Sequence, residues 1–268
     1  MMKAAASVKK TKKRTIADSG LEAAKSVATP KRNGASPPPA PVSYTGRSLI
    51  DVTVNKQGQS LGRKGHSTRL RLMQAAEKLL KTVSPVELTA VAIAKESKTS
   101  SATFYMYFDD IKDILAALSE DAGHEMNDAL TVLDEPWSFD QLESLSIRLV
   151  EAFNRIWDTR REVLRFRNLE ADRGDPRFDK LRSDEYVPFI ELMAQRMIAL
   201  CPPDRKMSRG DARALASVFH GAMERMSMTD PDAVTQGVGI KRLKVAQARV
   251  IAQVIMASCS NPTPLPKD

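Results

Sequence analysis

The stretch 99-TSSATFYMYF-108 gathers side chains able to recognise a partner. Ser101, Ala102 and Thr103 are small, and Thr103 can offer a methyl or a hydroxyl to a base edge. Tyr105 and Tyr107 carry hydroxyls that can donate to phosphate oxygens. The four large residues that end the stretch could equally form a small core or a surface for something flat or charged. Which of these holds depends on the elements that carry them.

Catalytic chemistry has far less support. The three histidines, His66, His124 and His220, form no HExxH, and no GxSxG, GxxxxGK[ST] or GxGxxG string occurs. No enzyme activity, cofactor or metal is expected. His220 reads as a core or pocket histidine. Asp109–Asp110 suits the cap of a following helix better than an acid–base pair. Cys201 and Cys259 are too few for a disulfide framework or a zinc site. Cys201, beside Pro202 and Pro203, is expected to be an inert thiol, and a reducing, cytoplasmic setting follows.

Charge is distributed unevenly. The chain of 268 residues has a formal net charge of +8. Residues 1–66 hold 13 Lys and Arg against 3 Asp and Glu, whereas residues 67–268 hold 28 against 30. A basic arm before a nearly neutral body suits a polyanion partner, although such runs also occur in solubilising tails. No apolar run reaches the length of a membrane span, and no secretory signal follows the first lysines.

Stepping along the chain, residues 1–60 are expected to be a disordered basic and proline-rich extension, with 9-KKTKKR-14 and 37-PPPAP-41 as its landmarks. The segment 50-IDVTV-54 alternates like a strand but has no partner and stays unassigned. From residue 67 the pattern is helical. Leu72, Ala76, Leu79, Leu80 and Val83 share one face of a first helix over 67–83, with Ser67 or Thr68 as its cap. A short helix over 87–96 and a long one over 110–133 flank the opening stretch. Further segments run near 138–157, 160–172, 178–200, 208–227 and 234–258, giving an all-α chain of about nine helices. The turn 97-SKT-99 followed by Ser100 as a cap separates two short helices by four residues, the spacing of a helix-turn-helix.

The segment 89-TAVAIAKESKTSSATFYMYFDDIKDIL-115 resembles the DNA-binding region of the TetR family of transcriptional regulators. Thr89, Ile93, Ala94, Ser100, Thr103, Phe104, Tyr105, Tyr107 and Phe108 fall in register with that family's pattern. The resemblance covers about 50 residues and implies a role for each match. Thr68 would touch a phosphate; Ser101, Ala102 and Thr103 would lie at base edges; Tyr105 and Tyr107 would hold the backbone. Phe104 and Phe108 would be core. Thr89 and Ser100 would belong to the same DNA-facing unit. Two departures stand out. Lys98 replaces the glycine usual in the turn, where a left-handed backbone should cost roughly 1 kcal/mol or relax the turn, and it brings a positive charge near DNA. The family's lysine after the last aromatic is Ile111 here, with Lys112 following it. On this reading Arg63 and Lys64 reach the minor groove or flanking backbone as an arm.

The expected organisation is a helix-turn-helix DNA-binding domain over 61–112, a larger helical ligand-binding and dimerisation domain over 113–260, and a flexible tail over 261–268. The expected function is a ligand-responsive homodimeric repressor of a near-palindromic operator, dimerising through the last two helices. A small apolar or amphipathic effector would sit among Phe153, Trp157, Phe166, Arg167, Phe189, Met193, Phe219, His220 and Met223, which lie on the longest apolar faces. Plain core is the competing account of those residues. Arg167 and His220 are the groups for an acidic ligand. The alternative function is a helical small-molecule-binding or protein-interaction module whose hairpin no longer binds DNA specifically.

Overall fold

The computed structural model describes residues 60–260 together with 265 and 266, all within one compact unit. The N-terminal extension, the 50-IDVTV-54 segment and most of the C-terminal tail lie outside the described residues. Among the described residues there are ten α-helices and a 3-10 turn at Pro203–Arg205: α1 (Arg63–Leu80), α2 (Ala90–Glu96), α3 (Ser101–Tyr107), α4 (Ile111–Glu125), α5 (Asn127–Asp134), α6 (Leu142–Asp172), α7 (Pro176–Leu200), α8 (Arg209–Ser227), α9 (Pro231–Gln236) and α10 (Ile240–Ser260). No helix is long and apolar enough to cross a membrane, among the described residues.

Short polar side chains set most of the helix starts. Thr89 accepts from the Ala92 N–H at 3.1 Å, Ser100 from Thr103 at 3.1 Å and Asp110 from Asp113 at 2.8 Å. Asp113 accepts in return from the Asp109 N–H at 2.9 Å, so the Asp109–Asp110 pair caps α4 as its spacing implies. α1 departs from expectation. It begins at Arg63 behind Gly62, with no side-chain cap, and Thr68 Oγ1 donates back to the Lys64 carbonyl at 2.9 Å from inside the helix. Ser67 and Thr68 are therefore not its cap, and Arg63 and Lys64 stand in its first turn rather than on an arm.

Three other boundaries move. The long helix expected over 110–133 is α4 and α5, joined at Met126, whose φ of −62° and ψ of −17° keep the chain near-helical. The segments near 138–157 and 160–172 are one helix of 31 residues, α6, with no Gly or Pro inside it. The last segment divides at Gly237–Gly239, where Gly239 takes a φ of 82°, into α9 and α10.

Two cores organise these helices. The first joins Leu72, Ala76, Ile93, Phe104, Phe108, Ile114 and Leu118 of α1–α4 to Val163 and Phe166 of α6 and Phe178 of α7. The second fills the body between α4 and α10, with Phe153, Trp157, Phe189, Met193, Phe219, Met223, Ile251 and Ile255 at its centre. α6 runs through both, packing on α4, α5, α7, α8 and α10.

The cysteines are not free thiols. Cys201, at the C-terminal end of α7, and Cys259, in the last turn of α10, form a disulfide with Cα atoms 4.8 Å apart. They lie 58 residues apart in sequence, so no local spacing announces the pairing. Cross-linking a loop of that length stabilises by about 2–4 kcal/mol, chiefly by restricting the unfolded chain. Reduction with dithiothreitol, or the double change C201A/C259A, is expected to lower the unfolding free energy by that amount in urea titration. Identical curves with and without reductant would contradict it.

Candidate nucleic-acid interface

The helix-turn-helix is built as cap, turn and cap. At the end of α2 the Thr99 N–H donates to the Ala94 carbonyl at 2.8 Å and the Lys98 N–H to Lys95 at 3.2 Å, a Schellman ending. The same pair of bonds ends α6, from Asp175 to Glu170 at 3.0 Å and from Gly174 to Ala171 at 2.9 Å. That position needs a left-handed backbone. Gly174 occupies it at φ 87°, and Lys98 occupies it at φ 56°, alone among the described non-glycine residues. The turn is thus kept, not relaxed, and Lys98 absorbs the strain. Ser97 Oγ, 2.9 Å from Thr99 Oγ1 and donating to Ala94 at 3.1 Å, braces it from beneath.

α3 then leaves the turn with a fixed orientation. Phe104 and Phe108 are buried at 0 % and 1 % exposure, their rings 5.6 Å apart, and the Arg69 guanidinium lies 5.2 Å over Phe108. With these two side chains pinned, the helix turns Ala102, Tyr105 and Met106 outward; Tyr105 is 55 % and Met106 39 % exposed. Ser101 and Thr103 are half-buried on the flanks, and Thr103 Oγ1 sits 2.9 Å from Ser100 Oγ. Tyr107 is half-buried against the core. Met106 belongs to the outward face although sequence reasoning passed over it. The available signal was its place one helical turn after Ala102.

The cations divide into two groups. Arg63, Lys64, Lys95 and Lys98 are exposed around this unit. Lys112 is held on the protein, ion-paired with the buried Glu170 of α6 and 3.7 Å from Asp175. The hydrogen bond to Glu170 raises the Lys112 ammonium above its usual range and lowers the Glu170 carboxyl below its own. Thr68 is spent on Lys64 and on Arg71, whose Nη2 donates to it at 3.3 Å.

In the body, eight of the nine residues expected near an effector are together or adjacent. Phe166 is the exception: it packs on Phe178, with centroids 5.5 Å apart, in the core shared with α1–α4. His220 lies 5.6 Å from the Phe153 ring, 5.4 Å from Phe189 and 5.8 Å from Tyr186. Beside it runs a buried polar row. Arg167 pairs with Glu185 and stands 3.7 Å from Glu224, while Asn168 donates to Glu224 at 2.9 Å. Burial lowers the His220 pKa against the opposing pull of Glu224 and Glu185. The Nε2 of His220 and the Nε1 of Trp157 are buried without a hydrogen-bond partner. No cluster suited to a metal ion occurs among the described residues.

No family model matches this chain, and no curated protein does. Solved structures do. The chain is similar to GusR from Salmonella enterica at 16% identity and a TM-score of 0.54, over 75% of this chain and 99% of that one. It is similar to the fatty acid degradation regulator FadR from Bacillus halodurans at 14% identity and 0.52, over 74% and 96%. A candidate TetR-family transcriptional regulator from Mesorhizobium loti aligns at 16% identity and 0.50, again over 74% and 96%. The fold is TetR-like, and all-α as the helical periodicity implies.

Lys98→Gly should raise stability by up to about 1 kcal/mol, since relief of left-handed strain outweighs the added freedom of the unfolded chain. Paired urea titrations measure this, and a loss of stability would contradict the assigned strain. For His220, a folded-state pKa below the ordinary value of 6.5 means that the unfolded chain gains the proton first. Its contribution is therefore complete above about pH 6.5 and lost as pH falls. Between pH 7 and 5.5 the wild type should lose stability relative to His220→Phe. Parallel curves for the two proteins would remove His220 as the cause.

Proposed function

We infer that this chain is a sequence-specific DNA-binding transcriptional regulator, a ligand-responsive homodimer acting as a repressor. The observation that carries this is α3 itself: a short helix pinned by Phe104 and Phe108, with Ala102, Tyr105 and Met106 turned to solvent and exposed cations around it. A helix presented in this way fits a major groove. Tyr105 and Tyr107 then supply phosphate contacts, Ser101 and Thr103 approach base edges, and Arg63, Lys64 and Lys98 add the electrostatic attraction. Thr89 and Ser100 act as the caps that set the geometry. Lys112 contributes only if it leaves Glu170.

Dimerisation is assigned to α8 and α10. Their exposed positions include small and apolar residues at helical spacing: Ala214, Val218, Gly221 and Ala222 on α8, and Ala246, Val250 and Ala257 on α10. Val218 is 65 % and Val250 55 % exposed. Two copies joined there about a two-fold axis would present recognition helices about 34–36 Å apart, the spacing of successive major grooves. The effector enters the body between α6, α7 and α8, beside Phe153, Trp157, Phe189, Met193, Phe219, His220 and Met223, and shifts that spacing. An acidic effector has to displace Glu185 from Arg167. On this reading the protein works beside its DNA, in the cytoplasm; the Cys201–Cys259 disulfide removes the support that free thiols would lend to a reducing setting.

Selection of bound genomic fragments followed by anisotropy titration tests the reading. A near-palindromic site is expected, with Tyr105→Phe costing about 1 kcal/mol and Val218→Arg reducing binding to that of one half-site. Binding without sequence preference at moderate salt would leave the chain as a helical ligand-binding or interaction module.

A further inference from the structure

The outward face of α3 also specifies what kind of base contact it can make. Successive residues of a helix are turned by about 100°, so the ridge farthest from the buried Phe104 is formed by the residues two before and two after it, Ala102 and Met106. Both are exposed, and they stack one turn apart. The whole helix, 101-SATFYMY-107, contains no Arg, Lys, Asn, Gln, Asp or Glu. It therefore has none of the side chains that form bidentate bonds to guanine or adenine, or that accept from cytosine. Its polar groups lie off the ridge: Thr103 Oγ1 is engaged with Ser100 Oγ, and Tyr105 stands to one side. The exposed charges that flank the unit, Lys95, Lys98, Arg63 and Lys64, lie outside α3 and suit phosphates.

An apolar ridge entering a major groove has one base feature to match, the C5-methyl group of thymine. We propose that Ala102 and Met106 read thymine methyl groups and that this contact, rather than a guanine or adenine hydrogen bond, gives α3 its sequence preference. Ala102 brings the helix axis close to the base edges. Met106, unbranched and adaptable, fills the space over a methyl one turn farther along. The partner is a half-site whose central positions carry thymine on the strand facing this ridge. The proposal rests on the DNA-binding reading above and adds the chemistry of its specificity.

The test uses the full chain and a genomic fragment selected by its binding. Each thymine of the half-site is replaced singly by deoxyuridine, which removes the methyl group and leaves every hydrogen-bonding atom in place. Binding is followed by competition at one fixed salt concentration. One or two positions per half-site should lose about fourfold in affinity, the worth of one buried methyl-sized group. Met106→Ala should abolish the thymine–deoxyuridine difference at one of them, and Ala102→Gly should reduce it at the other. Both residues are exposed, and circular dichroism confirms that the variants keep their helix content. Sequence-selective binding with equal affinity for every deoxyuridine fragment would overturn methyl readout while leaving the DNA-binding reading intact. A difference that persists unchanged in both variants would overturn the assignment to these residues. Failure to select any fragment would overturn the reading on which the proposal rests.

Discussion

The contact on which the rest depends is the burial of Phe104 and Phe108 beneath α3. A helix of seven residues has too few internal bonds to hold itself, and its orientation must come from packing. Here the two rings enter a core whose other members come from α1, α2 and α4 and also from α6 and α7. Phe166 and Phe178 close that core from the body side, edge to face at 82°. The seating of α3 is thus shared property. The core that seats Phe104 and Phe108 also takes in Val163 and Phe166 of α6.

That sharing gives α6 its particular place. Its 31 residues span about 46 Å at 1.5 Å per residue. Phe153 and Trp157 lie in the body core, and Val163 and Phe166 lie in the core beneath α3. Next to Phe166 stands the row of Arg167, Glu185 and Glu224, with side chains of Arg167 and Glu185 only 1 % and 2 % exposed. Such a pair adds little net stability against an apolar equivalent, yet removing one partner leaves an uncompensated buried charge. Its physical effect is to fix the register of α6 against α7 and α8. Arg167, which holds the register, thus stands beside Phe166, which enters the core shared with α1–α4, so both constraints act on the C-terminal half of α6.

How much of this was legible depended on the range of the interaction. The capped turn was legible because its causes are local: Ser100 and Asp110 each accept from an N–H three residues on, and only the cap that Thr89 forms in the same way went unread. The continuity of α6 was hidden by 158-DTRRE-162, whose charges interrupt the apolar period. Those charges are not a loop but interhelical contacts. Arg160 pairs with Glu77 at 2.5 Å, Asp121 at 3.0 Å and Glu125 at 2.5 Å, and Arg161 donates to the Ser227 carbonyl at 2.9 Å. Phe166 looked like its aromatic neighbours, because periodicity gives a face and not the identity of the core that the face enters. The Cys201–Cys259 bond, made across three helices' worth of chain, left no mark in local spacing at all.

Lys98 and Lys112 show why a departure from a familiar pattern has to be weighed by its surroundings. Lys98 stands where the pattern places a glycine, Lys112 stands one residue after the place where the pattern has its lysine, and both bring a positive charge close to α3. Lys98 keeps the backbone that a glycine would take, so the turn survives and the charge projects into solvent. Its strain is local and leaves α3 in place. Lys112 keeps its helix equally well, but its charge is claimed by Glu170, a carboxylate buried at the end of α6 and shared with Arg173 at 2.7 Å. Releasing it would leave that carboxylate with Arg173 as its remaining ion-pair partner. The lysine in the turn therefore adds a charge to the outer surface, whereas the lysine displaced to position 112 becomes a tie between α4 and α6.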